Sequence, residues 1–295
     1  DMREELKANN RTMFSRELYF AMREALSRKE QIILFLNKRG HTSYVFCRKC
    51  GYVYRCDACD VSMTYHKNKD RLICHYCGRE KQLHDRCPSC GSEAIKEFGA
   101  GTELLEEEVR KYFPSANIVR ADADTMRIKG AYNRVYHDML NGKIDILLGT
   151  QMIAKGFDFP RVTVVGVVAA DITLNIPDFR ACERTFQLIT QVAGRAGRGE
   201  LPGNVYLQTY KPDQYAILAA ANHDVDTFYK KEMEMRLYNK YPPYTTELHI
   251  GISSADRKCV IDRSNEIRKF LNEFSNIQID GPAPSVIERI NRRYR

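Results

Sequence analysis

Eight cysteines fall as four Cys-x-x-Cys pairs within the 44 residues from Cys47 to Cys90: Cys47/Cys50, Cys56/Cys59, Cys74/Cys77 and Cys87/Cys90. A pair at this spacing presents two thiolates from one tight loop, and two such loops complete the tetrahedral four-sulfur shell of a structural zinc, with no position left open for catalysis. The stretch is thereby constrained to fold around two zinc ions, and it has few apolar residues from which to build a core of its own. A disulfide framework would need an oxidising compartment, and the opening DMREELKANNRTMF is charged from its first residue with no signal-peptide core. The gap from Cys59 to Cys74 suits one two-loop site, whereas Cys50 to Cys56 is a short span to fold back on itself. We therefore expect Cys56, Cys59, Cys74 and Cys77 to share an inner ion and Cys47, Cys50, Cys87 and Cys90 an outer one. Spacing alone leaves sequential and crossed pairings open. His66, His75 and His84 stay outside both sets, because four thiolates per ion are already available.

Charge narrows the partners only modestly. Lys plus Arg number 46 against 38 Asp plus Glu, a formal +8, which eight thiolates and two divalent ions would lower to +4. That excess leans toward nucleic acid, contacted through individual side chains such as Arg48, Lys49, Arg55, Tyr65, Lys67, Arg71 and Tyr76 rather than through a broad positive field. No apolar run approaches the ~20 residues that span a bilayer, so no membrane partner is expected and a cytoplasmic place is. A length of 295 residues suits two or three domains, and a start at Asp1 with Met2 following reads as a piece of a longer chain.

On either side of the cysteines the pattern is α/β. QIILFL at 31–36, Ile144 to Leu148 and Val162 to Val168 read as buried strands. Between them a helix opens with Thr102 as its N-cap and an apolar face of Leu104, Leu105, Val109 and Phe113, and another carries Tyr132, Val135, Tyr136, Met139 and Leu140 before stopping at Asn141 and Gly142. This predicts a mostly parallel sheet covered by helices on both faces, into which the cysteine module is inserted. The expected division is a lobe over 1–46 and 96–210, the metal module over 47–95, and a small α+β domain over 211–295. In that last domain PDQYAILAAANHD, TFYKKEMEMRLYNK and RSNEIRKFLNEF read as helices and ELHIGISS as a half-buried strand.

QVAGRAGR ends a predicted helix and places Arg195 and Arg198 three residues apart, suited to bidentate recognition of phosphate oxygens. Upstream, DILLGTQMIAKGFDFP is a buried strand running into Thr150 and Gln151 and then a turn with Gly156 and Asp158. The carboxyl ends of parallel strands are where such sheets bind ligands. With FLNKRG at Phe35 to Gly40, these segments resemble motifs IV, V and VI of the second, RecA-like motor lobe of superfamily 2 helicases. Together with the inserted cysteine pairs, GAGTE at Gly99 to Glu103, PDFRACER at Pro177 to Arg184 and the GPAPSVIERINRRYR end, they resemble the PriA family of bacterial replication-restart helicases over nearly the whole chain.

The resemblance implies an ATP-dependent 3′-to-5′ DNA helicase that recognises stalled or branched forks and starts primosome assembly. It implies Arg198 as an arginine finger on the ATP γ-phosphate with Arg195 as its partner, Gln191 sensing nucleotide, and Gly156 and Asp158 in the motif that couples the ATP cleft to the strand-binding face. It places Asn37, Arg39 and Thr150 on the DNA backbone, and gives the last domain, with Arg292 and Arg293 in its tail, a DNA-binding role. Single strands, forks, primosome proteins and the single-stranded-DNA-binding protein are the implied partners, and ATP with magnesium the cofactors besides two zinc ions. One departure stands out: the chain has no G-x-x-x-x-G-K-[ST] loop and no acidic DEAH-type box, so half of an ATP site is missing and the piece should hydrolyse nothing alone. The competing reading is an ATP-independent zinc-ribbon adaptor for nucleic acid or protein.

Overall fold

The computed structural model describes the chain except residues 37–43, 58–60, 67–69, 76, 99–101, 123–124, 151–158, 177, 195–200, 287 and 291. Two short helices, α1 (Met2–Lys7) and α2 (Arg16–Ser27), lead into β1 (Gln31–Phe35). β1 lies at the centre of a parallel five-stranded sheet with β7 (Ile118–Ala121), β8 (Ile146–Gly149), β9 (Val162–Val167) and β10 (Asn204–Leu207), in the order β10-β9-β1-β8-β7. The expected strands lie at its middle; β7 and β10, the two edges, were not expected, because IVRA and NVYL are short and interrupted by polar residues.

The three central strands, β9, β1 and β8, are buried along their whole length, which is why they read as apolar runs. Along β1, Ile33 and Phe35 face one core while Ile32 and Leu34 face the other, and on β8 Leu147 opposes Ile146 and Leu148. The alternation slips on β9, where Val162 shares a face with Val165 and Val167, because the register against β1 shifts between Gln31 and Ile32. Each such side chain contributes roughly 1.5–3 kcal/mol by leaving water. One face is covered by α2 through Leu18, Met22 and Ala25 and by α3 (Thr102–Tyr112) through Leu105 and Val109. Leu104, expected on that apolar face, is 47% exposed. Thr102 is the first residue inside α3 rather than its cap, and its hydroxyl donates to Asp122 Oδ2 at 2.8 Å.

The other face takes α4 (Ala131–Leu140), which closes at Asn141 and a Gly142 with φ of +69°, α5 (Asp171–Leu174) through Leu174, and α6 (Ala181–Ala193). It also takes α7 (Tyr215–Ala221) and α8 (Val225–Tyr238): Ala216, Ile217, Ala219, Ala220 and Phe228 belong to this core, and Phe228 stacks on Phe186 with ring centroids 4.1 Å apart. Helices that the sequence groups with the last domain thus pack on the parallel sheet. Beyond them, α9 (Arg257–Leu271) buries no residue, and ELHIGISS forms no ladder apart from a bridge between Ser254 and Tyr294. The expectation of a strand there fails because its alternating residues have no sheet to face: Leu248 is 81% exposed.

The cysteine module leaves the sheet through β2 (Tyr44–Cys47) and returns through β6 (Ile95–Phe98), which pair antiparallel from Tyr44 opposite Phe98 to Cys47 opposite Ile95. With β3 (Thr64–His66), β4 (Arg71–Ile73) and β5 (Glu80–Gln82) they make a second sheet in the order β5-β4-β3-β2-β6. The module's own core is small: Val45, Tyr54, Val61, Met63 and Leu72 pack with Cys56 and Cys74. Among the described residues no helix is long and apolar enough to cross a membrane.

Candidate metal centres and nucleic-acid interface

Three of the four cysteine loops share one backbone design. The amides of Gly51, Gly78 and Gly91 donate to the carbonyls of Cys47, Cys74 and Cys87 at 2.8–2.9 Å, and the amides of those cysteines donate to Tyr52, Arg79 and Ser92. All three glycines have φ between +67° and +79°, the left-handed region that lets the chain turn tightly enough to aim both sulfurs one way. Cys56 donates likewise to Val61.

The sulfurs converge in two groups. Cys47, Cys50, Cys87 and Cys90 lie within 4.8 Å of one another, as do Cys56, Cys74 and Cys77, while Cys59 lies outside the described residues. Within the first group Cys47 Sγ is 3.7 Å from Cys90 Sγ and Cys50 Sγ 3.6 Å from Cys87 Sγ, and Cys56 Sγ is 3.6 Å from Cys77 Sγ in the second. A tetrahedron with zinc–sulfur bonds of ~2.3 Å has edges of about 3.8 Å. The donor sets therefore fit zinc, soft and four-coordinate, and fit hard oxygen-seeking ions poorly. Without a cation the outer thiols are unlike: burial pushes Cys47 up to about 12 and raises Cys50, whereas the Ser92 amide draws Cys90 down to about 7. A bound divalent ion supplies the charge that lets these two raised thiols ionise.

The histidines join neither group. Buried His75 has Nδ1 2.7 Å from the carbonyl oxygen of Pro284, and its Nε2 is 3.2 Å from His66 Nε2. A carbonyl only accepts, so His75 carries its proton on Nδ1 and, when neutral, accepts from His66. The inner loop is thus tied to the chain's GPAP segment, a contact that pairs residues 209 apart and left no local signal.

The module is seated on the sheet's carboxyl edge. Phe46 packs edge-on to Tyr210 at 4.8 Å and the Arg48 Nε donates to the Tyr210 hydroxyl at 3.2 Å. Behind Tyr210 stands Asp171, wholly buried and raised by that burial, accepting from the Thr209 hydroxyl and the Tyr210 amide at 3.0 Å each. Sequence reasoning passed over Asp171 and Tyr210, whose importance depends on which segment the module happens to meet.

Of the expected nucleotide and DNA positions, Gln191 lies half-buried in the last turns of α6, and Thr150 lies half-buried just past the end of β8. Helix α6 is capped at Gly194. Asn37, Arg39, Gly156, Asp158, Arg195 and Arg198 lie outside the described residues. In the tail, Arg292 is exposed, and Arg293 donates to the Ser253 carbonyl at 2.8 Å while Tyr294 and Ser254 exchange backbone hydrogen bonds.

The Cys-rich region (CRR) domain of the PriA DNA helicases matches residues 56–82, and the helicase conserved C-terminal domain matches residues 95–200. Over 100% of this chain, the replication restart protein PriA of Bacillus subtilis (strain 168) is 51% identical and that of Synechocystis is 42% identical. The chain belongs to the PriA family. It spans 37% and 36% of the length of those two relatives, and 45% of a Rickettsia felis PriA that is 36% identical. The C-terminal domain of the DEAD-box protein Dbp5 superposes with a TM-score of 0.35 at 13% identity, covering 76% of this chain and 91% of that one, a likeness too slight to add to the family match. The helicase conserved C-terminal domain match accordingly takes in β7, β8 and β9 of the parallel sheet, and the PriA Cys-rich region match lies within the module inserted after β1.

Proposed function

We propose that this chain is the C-terminal half of an ATP-dependent 3′-to-5′ DNA helicase that recognises stalled or branched replication forks and starts primosome assembly in the bacterial cytoplasm, at the nucleoid. The observation that supports this reading is the seating of a module with two cysteine clusters at the carboxyl edge of the parallel sheet, the edge where Thr150 follows β8. In this reading the Cys47, Cys50, Cys87, Cys90 set and the Cys56, Cys59, Cys74, Cys77 set each hold one zinc and fix the module's shape. Thr150, Asn37 and Arg39 take the DNA backbone, with Arg292 and Arg293 adding contacts from the last domain. Gln191, Gly156, Asp158, Arg195 and Arg198 form one wall of an ATP–magnesium cleft whose other wall, with the phosphate loop and acidic box, belongs to a preceding lobe. Primosome proteins and the single-stranded-DNA-binding protein are its partners.

DNA-stimulated ATPase, measured on a chain extended upstream through that lobe beside the present chain, tests the reading. The extended chain should hydrolyse ATP and the present one should not. Arg198→Lys keeps the charge but loses the planar fork, and should lower turnover by on the order of 10³-fold while leaving zinc content intact. Turnover within about threefold of wild type, far inside the finger range, would remove Arg198 from the transition state. Absence of ATPase from the extended chain would leave the adaptor reading standing.

A further inference from the structure

Where the module meets the lobe there is a recess of about 420 Å³, within the ~300–1,000 Å³ range of small-ligand sites. It is walled by Gly51 and Ser89 from the two outer cysteine loops, by Arg55, Asp57 and Lys81 from the inner half of the module, and by Lys211 from the segment that follows β10. Its cations outnumber its acids. Lys81 is committed, donating to Asp57 Oδ1 at 2.7 Å and to the Arg55 carbonyl at 2.9 Å. Asp171, the other nearby carboxyl, is sealed behind Thr209 and Tyr210. Among the described residues no carboxylate lies within ion-pair distance of Lys211, although much of the side chain is out of water and faces the Arg55 charge. Two cations brought from separate segments to one polar recess repel each other, and a bound anion between them converts that repulsion into binding. The recess also lies at the carboxyl edge of the sheet, since Lys211 follows β10 as Thr150 follows β8.

We infer that this recess is an anion site that holds a backbone phosphate of the DNA strand crossing the seam between the cysteine module and the motor lobe, with Arg55 and Lys211 as its two cationic walls. The inference rests on the DNA-binding reading above and names a contact that reading does not contain. Gly51 borders this wall: a Cβ there would run into the Tyr210 carbonyl oxygen and come within 3.2 Å of Lys211 Cγ. The competing role for the same cations is to offset the outer zinc, whose four thiolates leave a formal charge of −2 beside Cys50.

The test uses the zinc-loaded, unmutated chain. Acetylation footprinting by mass spectrometry, with a single-stranded oligonucleotide, with inorganic phosphate alone and with neither, reads Lys211 against exposed Lys7. DNA should slow Lys211 acetylation several-fold and leave Lys7 within about twofold; inorganic phosphate should protect Lys211 more weakly. Absence of DNA protection at Lys211 under conditions where the chain is shown to bind DNA overturns the inference. Absence of any DNA binding instead overturns the broader reading, and protection by phosphate alone would then assign the recess to a free anion and reject the strand as its source. In anisotropy titrations over a salt series, Lys211→Gln should lower the slope of log K against log salt by about 0.7, the value of one single-strand phosphate contact, and Lys211→Arg should restore it. A slope change no larger than that of Lys7→Gln, or loss of zinc with an unchanged slope, rejects the phosphate contact and gives the cations to the metal.

Discussion

Alanine at Gly51 and at Gly91 poses the same backbone problem in two different surroundings. Both glycines directly follow the second cysteine of an outer loop, with φ of +74° and +67°. A Cβ at Gly91 would meet nothing within 4 Å, whereas one at Gly51 would run into the Tyr210 carbonyl oxygen. Gly91→Ala therefore carries only the left-handed backbone cost of about 1–2 kcal/mol, offset by about 0.4–1 kcal/mol from the stiffer unfolded chain, for a net loss of about 1 kcal/mol. Gly51→Ala adds an overpacking cost of about 1–3 kcal/mol, since Tyr210 is held by Asp171 at its amide, by Phe46 at its ring and by Arg48 at its hydroxyl and has little freedom to recoil. The sum is about 2–4 kcal/mol. Urea unfolding of the zinc-loaded proteins, followed by fluorescence of the 17 tyrosines in a chain without tryptophan, compares the two midpoints directly. Zinc release into a chromogenic chelator during the same titration shows whether the seam fails before the metal sites do. If Gly91→Ala proves as damaging as Gly51→Ala, the module is not pressed against Tyr210 and the seam as described is wrong.

Three further outcomes are expected. Cys56→Ser should lower zinc by elemental analysis from two ions per chain to one, with the outer set still loaded; loss of the outer ion alone would contradict the grouping of sulfurs. Burial works to raise Asp122, but the Thr125 amide, the Thr102 hydroxyl and Arg120 outweigh it and hold the carboxyl below its ordinary 3.8. A carboxyl lowered on folding contributes stability that is complete above that ordinary value and fades as pH falls below it. Asp122→Asn should thus cost about 1.5–3 kcal/mol at neutral pH and flatten the acid limb of the stability curve, and an unchanged limb would refute the assignment. His75→Phe removes the bond to the Pro284 carbonyl, worth about 1 kcal/mol, so limited proteolysis across residues 281–286 should quicken roughly fivefold without zinc loss; unchanged cleavage would show that the segment is held by other contacts.

What the sequence determined by itself is what short-range chemistry dictates. Two thiolates three residues apart can do little but share an ion, so the cysteine spacing announced a metal module and separated it from the chain around it. Apolar runs such as QIILF and VTVVGV are buried on both faces or nowhere, so a covered parallel sheet followed from them, and the motor motifs marked its carboxyl edge. The limits lie where a residue's role depends on a distant neighbour. Which cysteine loops meet is a matter of how β2 and β6 pair, and spacing had left three arrangements open. Edge strands β7 and β10 are too short to show a period and exist because β8 and β9 offer them unpaired backbone. ELHIGISS alternates as a strand should and forms none, since alternation creates an amphipathic face but only a partner edge creates a ladder. Asp171, Tyr210 and Lys211 looked unremarkable in the chain, and His75 was set aside as a ligand without its Pro284 partner in view, because each acts through a surface that the fold brings to it, and burial, repulsion and hydrogen bonding across such surfaces have no signature in sequence order.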